Sequence, residues 1–131
     1  MLEQLKEEVR RYALQAEHAG LCQHRAGNFS ICDRACGCIC ITPTGMDRTE
    51  MTAEDIVIID MDGRTVESVH GQRPTSEALM HIAIYRARPE VAAVAHTHSK
   101  AATAFAVMNK PIPAIVYELQ MLGCKKGYVP V

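Results

Sequence analysis

The sequence lacks several features that would assign it at once to a functional class. It has no tryptophan, aromatic residues make up 5% of its 131 positions, and its formal net charge is −1. Base-stacking platforms and the basic face of a nucleic-acid-binding protein are therefore not expected. No uninterrupted apolar run approaches the ~20 residues of a membrane-spanning helix. The charged N-terminus does not have the form of a secretion signal. We expect a cytoplasmic protein with no nucleic-acid or membrane partner.

The chain has the composition of an ordinary globular protein, with 48% hydrophobic and 22% charged residues. Its length suits one domain with a single hydrophobic core. We therefore treat residues 1–131 as one domain, without an internal linker or repeat.

Six cysteines are many for this length, and four of them cluster as Cys32, Cys36, Cys38 and Cys40. Their spacing differs from the paired C-x2-C pattern of common zinc modules. On a strand, Cys36, Cys38 and Cys40 would share one face. In a reducing compartment these thiols are expected to act as small buried hydrophobic residues, and a metal cluster is the alternative.

Hydrophobic periodicity and turn residues predict a mixture of helices and strands. Helices are predicted over residues 2–19, 75–87 and 99–108. Strands are predicted over residues 29–32, 37–42, 56–60, 65–68, 91–97 and 112–117. Hairpin-type strands between helices favour a layered α/β or α+β domain.

The pair His96 and His98 is the main candidate for metal chemistry. On a strand, side chains two residues apart lie on the same face, about 6.5 Å apart. Two imidazoles so placed can bind one zinc ion, or another divalent metal. Glu77 could join them from the start of the preceding helix, although a carboxylate there also interacts favourably with the helix dipole. His81, one helical turn after Glu77, is a rival ligand or a residue that supports the ligands.

Three segments rich in glycine, asparagine, serine and threonine lie at the predicted ends of elements. They are residues 26–28, 42–45 and 74–76. Backbone N–H groups and hydroxyls in such loops can bind a phosphate monoester. Each segment alone would read as an ordinary turn or helix cap, and three together indicate a phosphate site.

Four motifs occur here in the order typical of one known family. They are Ala26-Gly27-Asn28-Phe29-Ser30, Ile41-Thr42-Pro43-Thr44-Gly45, Thr75-Ser76-Glu77 and Ala95-His96-Thr97-His98. With them the chain resembles the class II aldolase/adducin family. The resemblance implies an α/β (α+β) fold of three layers, in which helices flank a central, mainly antiparallel sheet on both faces. It also implies a homotetramer with zinc sites at subunit interfaces.

The resemblance also implies roles for individual residues. The metal ligands would be Glu77, His96 and His98. Glu77 would also act as the catalytic acid/base, and Tyr117 would donate a proton in a neighbouring subunit's site. The phosphate cradle would consist of small polar residues and glycines: Gly27, Asn28, Thr44, Gly45, Thr75 and Ser76.

The activity implied is that of a zinc-dependent aldehyde-lyase acting on a small phosphorylated sugar. Cleavage of L-fuculose 1-phosphate, or a similar ketose 1-phosphate, would give dihydroxyacetone phosphate and lactaldehyde. Glu77 after Thr75-Ser76 favours an aldolase over the family's pentulose-phosphate 4-epimerases, which typically have aspartate there. The alternatives are an epimerase of the L-ribulose-5-phosphate type, a related dehydratase, and a non-catalytic adducin-like domain.

The chain departs from the family pattern near its C-terminus. Relatives carry one more zinc-binding histidine downstream of the segment that contains Tyr117, whereas residues 118–131 contain none. We therefore expect the N-terminal and central part of the family domain, without its C-terminal part.

Overall fold

The computed structural model describes residues 1–121 and 128–129, and it divides the chain into two compact units. The first unit is Met1–Thr97 and the second is His98–Val131. Each is described by itself.

The first unit is built around a five-stranded antiparallel sheet. Its strands are β1 (Asn28–Asp33), β2 (Cys38–Ile41), β3 (Val57–Asp60), β4 (Thr65–Glu67) and β5 (Ala93–His96). Their order across the sheet is β4-β3-β2-β1-β5, and every neighbouring pair is antiparallel. The order places β5, which follows the other four in the chain, directly beside β1.

Two helices cover opposite faces of this sheet, which gives the three layers expected for the family. Helix α1 (Leu2–His18) packs Val9 and Ala13 on the face that carries Cys40 and Ile58. Helix α2 (Ala78–Ala87) covers the other face with Ala78, Ile82 and Tyr85, against isoleucine and valine side chains of β2 and β3. Strand alternation creates these two faces, because successive residues point to opposite sides. A 3-10 helix, Ala53–Asp55, precedes β3.

The predicted elements of the first unit are largely confirmed. The helix predicted over residues 2–19 is α1, and Gly20 follows its end with a φ of 72°. The N–H of Leu21 donates to the carbonyl of Ala16, as in a Schellman cap. The strands predicted over residues 56–60 and 65–68 are β3 and β4, which pair as an antiparallel hairpin around Asp62 and Gly63.

Helix α2 begins three residues later than predicted. The N–H of Thr75 donates to the carbonyl of Thr42, and Pro74 forms an isolated bridge with Pro43. These contacts hold the segment before α2 against the loop after β2, so the helix begins only at Ala78. Leu79, in the first turn of this helix, is 71% exposed.

In its described residues, the second unit contains two short helices and two short strands. They are α3 (Lys100–Val107), β6 (Ile112–Pro113), α4 (Tyr117–Met121) and β7 (Tyr128–Val129), with β6 and β7 antiparallel. The strand predicted over residues 112–117 is wrong beyond Pro113, because Tyr117 is the first residue of α4.

The cysteines confirm the prediction only in part. Cys22, Cys32 and Cys40 are buried, whereas Cys36 is exposed. Cys36 precedes β2, so the proposed row of three cysteines on one strand face is reduced to Cys38 and Cys40. Burial raises the pKa of the Cys40 thiol to about 12. Cys124 lies outside the described residues.

In the part of the chain that the structure describes, no helix has the length and apolar character needed to cross a membrane.

Candidate functional site

The candidate site lies where β1, β5 and the start of α2 meet. Asn28 and His96 are direct cross-strand neighbours on β1 and β5. Glu77 is the residue before α2, at its N-cap position. Its carboxylate makes no capping hydrogen bond to the helix. Instead it accepts a hydrogen bond from Asn28 Nδ2 at 2.5 Å.

Glu77 and His96 direct their side chains to the same point. Glu77 Oε2 lies 3.5 Å from His96 Nε2, and both side chains are partly exposed, at 42% and 29%. Metal–ligand bonds of about 2.0–2.2 Å place two ligand atoms of a tetrahedral site roughly 3.4 Å apart. The carboxylate oxygen and imidazole nitrogen therefore fit zinc or a similar divalent ion in spacing and in donor type.

The third predicted ligand, His98, is the first residue of the second unit and is described with that unit. Among the residues that the structure describes, no group of three or more histidine, cysteine or acidic side chains forms a metal site. The structure thus brings two of the three predicted ligands together.

A row of buried polar side chains extends from Glu77 into the core. His81 Nε2 contacts Asn28 Oδ1 at 2.5 Å, and His81 Nδ1 contacts Ser30 Oγ at 2.7 Å. Ser30 Oγ in turn lies 2.7 Å from the Tyr85 hydroxyl. Burial, and then the nearby charge of His96, lower the pKa of His81 to about 4, so its imidazole is neutral at pH 7.

The three glycine- and hydroxyl-rich segments meet beside this row. The N–H of Thr44 donates to the carbonyl of Arg73, and the N–H of Thr75 donates to the carbonyl of Thr42. Thr42 Oγ1 also accepts from the N–H of Phe29. These bonds join the segment at 42–45 directly to the segment at 74–76, and also to Phe29, the residue that follows the segment at 26–28. Thr44, Gly45 and Ser76 are exposed there, which suits them to contact an anion from solvent.

Gly27 and Arg48 hold the first of these segments in place. Gly27 has a φ of 76°, and a Cβ there would lie 2.5 Å from the carbonyl oxygen of His96. The buried guanidinium of Arg48 donates to the carbonyls of Ala26 and Gly27 and to Glu17. The chain can therefore approach β5 closely only with glycine at position 27.

A separate cleft lies between α1 and the β1–β5 edge, and Ser30 is the one residue of the polar row that also lines it. It is lined mainly by apolar side chains, among them Val9, Tyr12 and Leu21. Phosphate binding requires donors, so we place the candidate site at Glu77 and not in this cleft.

A comparison with protein-family models shows which family this chain belongs to. The family model of the Class II Aldolase and Adducin N-terminal domain matches residues 7–131. The chain belongs to the class II aldolase and adducin family. The expectation drawn from the four motifs is confirmed.

Curated members of this family differ in activity. The chain is 34% identical over 123 residues to 5-deoxy-D-ribulose 1-phosphate aldolase of Bacillus thuringiensis serovar kurstaki, covering 94% of this chain and 57% of that protein. It is 38% identical over 114 residues to an L-ribulose-5-phosphate 4-epimerase of Salmonella paratyphi C, covering 87% of this chain and 49% of that protein. The chain thus spans about half the length of these relatives.

Solved structures of class II aldolases share the fold. An L-fuculose 1-phosphate aldolase matches with a TM-score of 0.82 and 34% identity, over 87% of this chain and 53% of that chain. The enzyme of the same name from Glaciozyma antarctica matches with a TM-score of 0.78 and 26% identity, over 87% and 47%. The antiparallel sheet between helices is therefore the family fold.

The remaining predicted site residue, Tyr117, lies in the second unit. It begins α4, and 67% of its surface is exposed. Its proposed role in a neighbouring subunit stays a prediction.

Sequence reasoning did not identify Ser30, Tyr85 and Arg48 as part of this candidate site. A signal was present for two of them. Glu77, His81 and Tyr85 are spaced by four, which places them along one face of a helix. Asn28 and Ser30 are spaced by two on a strand, so they share the opposing face.

Proposed function

We propose that this chain provides the phosphate-binding part and most of the metal-binding part of a metal-dependent aldolase for ketose 1-phosphates. The observation that carries the proposal is the 3.5 Å approach of Glu77 Oε2 to His96 Nε2, beside the segments that contain Gly27, Thr44 and Ser76. L-fuculose 1-phosphate is the proposed substrate type, with dihydroxyacetone phosphate and lactaldehyde as products.

In this proposal, Glu77, His96 and His98 hold zinc or another divalent metal. Such an ion, when bound, polarises a carbonyl oxygen and stabilises the negative charge that develops on it. Gly27, Asn28, Thr44, Gly45, Thr75 and Ser76 form the cradle for the substrate phosphate, through backbone N–H groups and hydroxyls.

The cradle would fix the sugar so that its reacting carbons lie beside Glu77. The Glu77 carboxylate then takes a proton from a substrate hydroxyl or returns one to carbon, as a general base and acid. From a neighbouring subunit, Tyr117 would donate a proton to the aldehyde oxygen when the reaction runs toward carbon–carbon bond formation. In cleavage the same oxygen starts as a hydroxyl and gives up its proton as the bond breaks. The role of Tyr117 requires an assembly, which we propose to be a homotetramer in the cytoplasm.

The test is a coupled assay for dihydroxyacetone phosphate with the zinc-loaded protein and L-fuculose 1-phosphate or 5-deoxy-D-ribulose 1-phosphate. Glu77→Gln should lower kcat by about 10²–10⁴-fold, because it removes the acid/base group. Glu90→Gln is the matched control, since its side chain is 60% exposed and paired with Arg88. Turnover by Glu77→Gln equal to that of the unmodified protein would contradict the proposal.

An epimerase is the second candidate, and the 38% identity to an L-ribulose-5-phosphate 4-epimerase favours it. Conversion of L-ribulose 5-phosphate without release of a three-carbon phosphate would establish it. A protein that neither retains zinc nor turns over any of these sugars would support a non-catalytic adducin-like role instead.

A further inference from the structure

We propose that His81 is a positioning residue that holds the Asn28 amide in the orientation needed to orient Glu77. Only the expected effect of His81 on turnover rests on the proposed function. The contacts of His81 carry the assignment, and its test includes a measurement that does not depend on turnover.

The direction of each hydrogen bond follows from the chemistry of its two ends. An ionised carboxylate only accepts, so Glu77 Oε2 must face the donor Nδ2 of Asn28, 2.5 Å away. The Oδ1 of Asn28 then faces His81 Nε2 at 2.5 Å. A carbonyl oxygen also only accepts, so Nε2 must carry the imidazole proton.

The other ring nitrogen completes the assignment. A neutral imidazole with its proton on Nε2 has an acceptor at Nδ1, and Ser30 Oγ lies there at 2.7 Å. The Ser30 hydroxyl therefore donates to His81. The Tyr85 hydroxyl, 2.7 Å from Ser30 Oγ and 3.0 Å from the Ser30 carbonyl, can donate to either. The donors of Ser30, His81 and Asn28 thus all point toward Glu77.

This order leaves the Asn28 amide one favourable orientation. With the proton on Nδ1, His81 would present an acceptor at Nε2 to the Asn28 carbonyl. To avoid this repulsion, the Asn28 side-chain amide would have to rotate so that Oδ1 and Nδ2 exchange places. Its oxygen would then lie against the Glu77 carboxylate. Both arrangements bring two acceptors together in a buried place, where an unmade hydrogen bond costs most.

His81 is well placed to enforce this choice because it is completely buried and held from both sides. Asn28 is 4% exposed and Ser30 is 2% exposed, so water does not compete for their polar atoms. The backbone of Asn28 is fixed by its register opposite His96. Glu77 is thereby oriented toward His96 by the Asn28 amide, which is itself oriented by His81.

The first measurement uses the unmodified, metal-free protein. Nitrogen-15 NMR at pH 7 should show His81 as a neutral imidazole with its proton on Nε2. A proton on Nδ1 would overturn the proposal whether or not the protein is an aldolase. The side-chain NH2 signal of Asn28 should shift in His81→Asn, whose amide is too short to reach Asn28.

The second measurement separates positioning from packing. His81→Asn should lower kcat by about 10–100-fold with little change in KM, because loss of a partner that orients a ligand has effects of this size. His81→Gln, which can supply a donor near the position of Nε2, should recover most of the activity. Leu79→Gln is the matched control, since Leu79 is on the same helix and 71% exposed.

Equal activity of folded His81→Asn and His81→Gln would overturn the positioning role. If the unmodified protein shows no turnover of any sugar phosphate, the proposed function fails. The proton position on His81 and the response of the Asn28 amide still decide the present inference.

Discussion

Single residues in the core of this chain have properties set by their surroundings. His81 is the clearest case, because burial lowers its pKa to about 4 whereas an exposed histidine titrates near 6.5. Asp55 shows the opposite balance. Burial would raise the pKa of its carboxyl, but hydrogen bonds from His70 and Thr52 outweigh burial and hold that pKa below its usual value. In both residues the folded state favours one protonation form.

Because the pKa of His81 is lowered in the folded state, we expect acid to destabilise the fold below about pH 6.5. Between this pH and about 4 the unfolded chain binds the histidine proton and the folded chain does not, so the free energy of unfolding falls as pH falls. The full loss is about 3 kcal/mol, since one pKa unit corresponds to ~1.4 kcal/mol. Urea unfolding of the metal-free protein at pH 7.0, 5.5 and 4.5 measures this slope.

The matched variants for this measurement are His81→Gln and His18→Gln. The first should reduce the slope between pH 6.5 and 4.5. The second should leave most of the slope, because His18 is exposed at the end of α1. If His81→Gln leaves the slope unchanged, His81 is not the cause of the pH dependence.

At the scale of elements, the site depends on the close approach of the segment before β1 to the end of β5. Gly27 permits this approach, with a left-handed backbone and no side chain against the His96 carbonyl. Arg48 supports the segment through two of its carbonyls. The strand pair β1–β5 therefore positions both Asn28 and His96.

Gly27→Ala is expected to destabilise the protein more than an alanine at another left-handed glycine. The backbone conformation alone costs about 1–2 kcal/mol. The Cβ would also lie 2.5 Å from the His96 carbonyl and 2.9 Å from Cys22 Sγ. The total should reach roughly 3 kcal/mol or more, a size typical of core overpacking with backbone strain.

Gly37→Ala is the control, since Gly37 has a φ of 69° and a Cβ added there would meet no atom within 4 Å. Gly37→Ala should therefore lower the free energy of unfolding only by the cost of a left-handed alanine backbone, about 1–2 kcal/mol. Chemical denaturation of both variants gives the comparison. If both variants lose a similar free energy of unfolding, the close approach of Gly27 to β5 does not contribute to stability.

The identity and limits of many elements could be predicted from the sequence, because they depend on local patterns. The helix predicted over residues 2–19 and the strands predicted over residues 56–60 and 65–68 are examples, and all three are found close to the expected bounds. The start of α2 could not be predicted. It depends on a hydrogen bond from Thr75 to Thr42, two residues far apart in the chain.

At the scale of the whole molecule, the two units differ in how they bury their residues. The first contains both hydrophobic clusters, one under each of α1 and α2. In the described part of the second unit no residue is buried, and α3 has none. Several of its apolar side chains are exposed: Val107, Met108, Ile115, Val116, Tyr117 and Met121. The core of the first unit should therefore dominate the stability of the chain.

Amide hydrogen exchange should show this difference directly. Amides of β2 and β3, which lie inside the sheet between two helices, should exchange only with global unfolding. Amides of α3 should exchange many times faster, because few buried contacts oppose local opening. Mass spectrometry of peptides from the two regions measures both rates. Equal protection of α3 and β3 would refute the prediction.

The sequence by itself determined the family, the helical and strand patterns, and the residue types of the candidate site. These follow from local spacing and from short motifs, which can be read without knowing the fold. Only the tertiary structure decided that Glu77 contacts Asn28, that His81 and Ser30 continue the row, and that Arg48 supports the segment before β1. These pairs are 21 to 53 residues apart, and the order of strands and the position of α2 over the sheet bring them together.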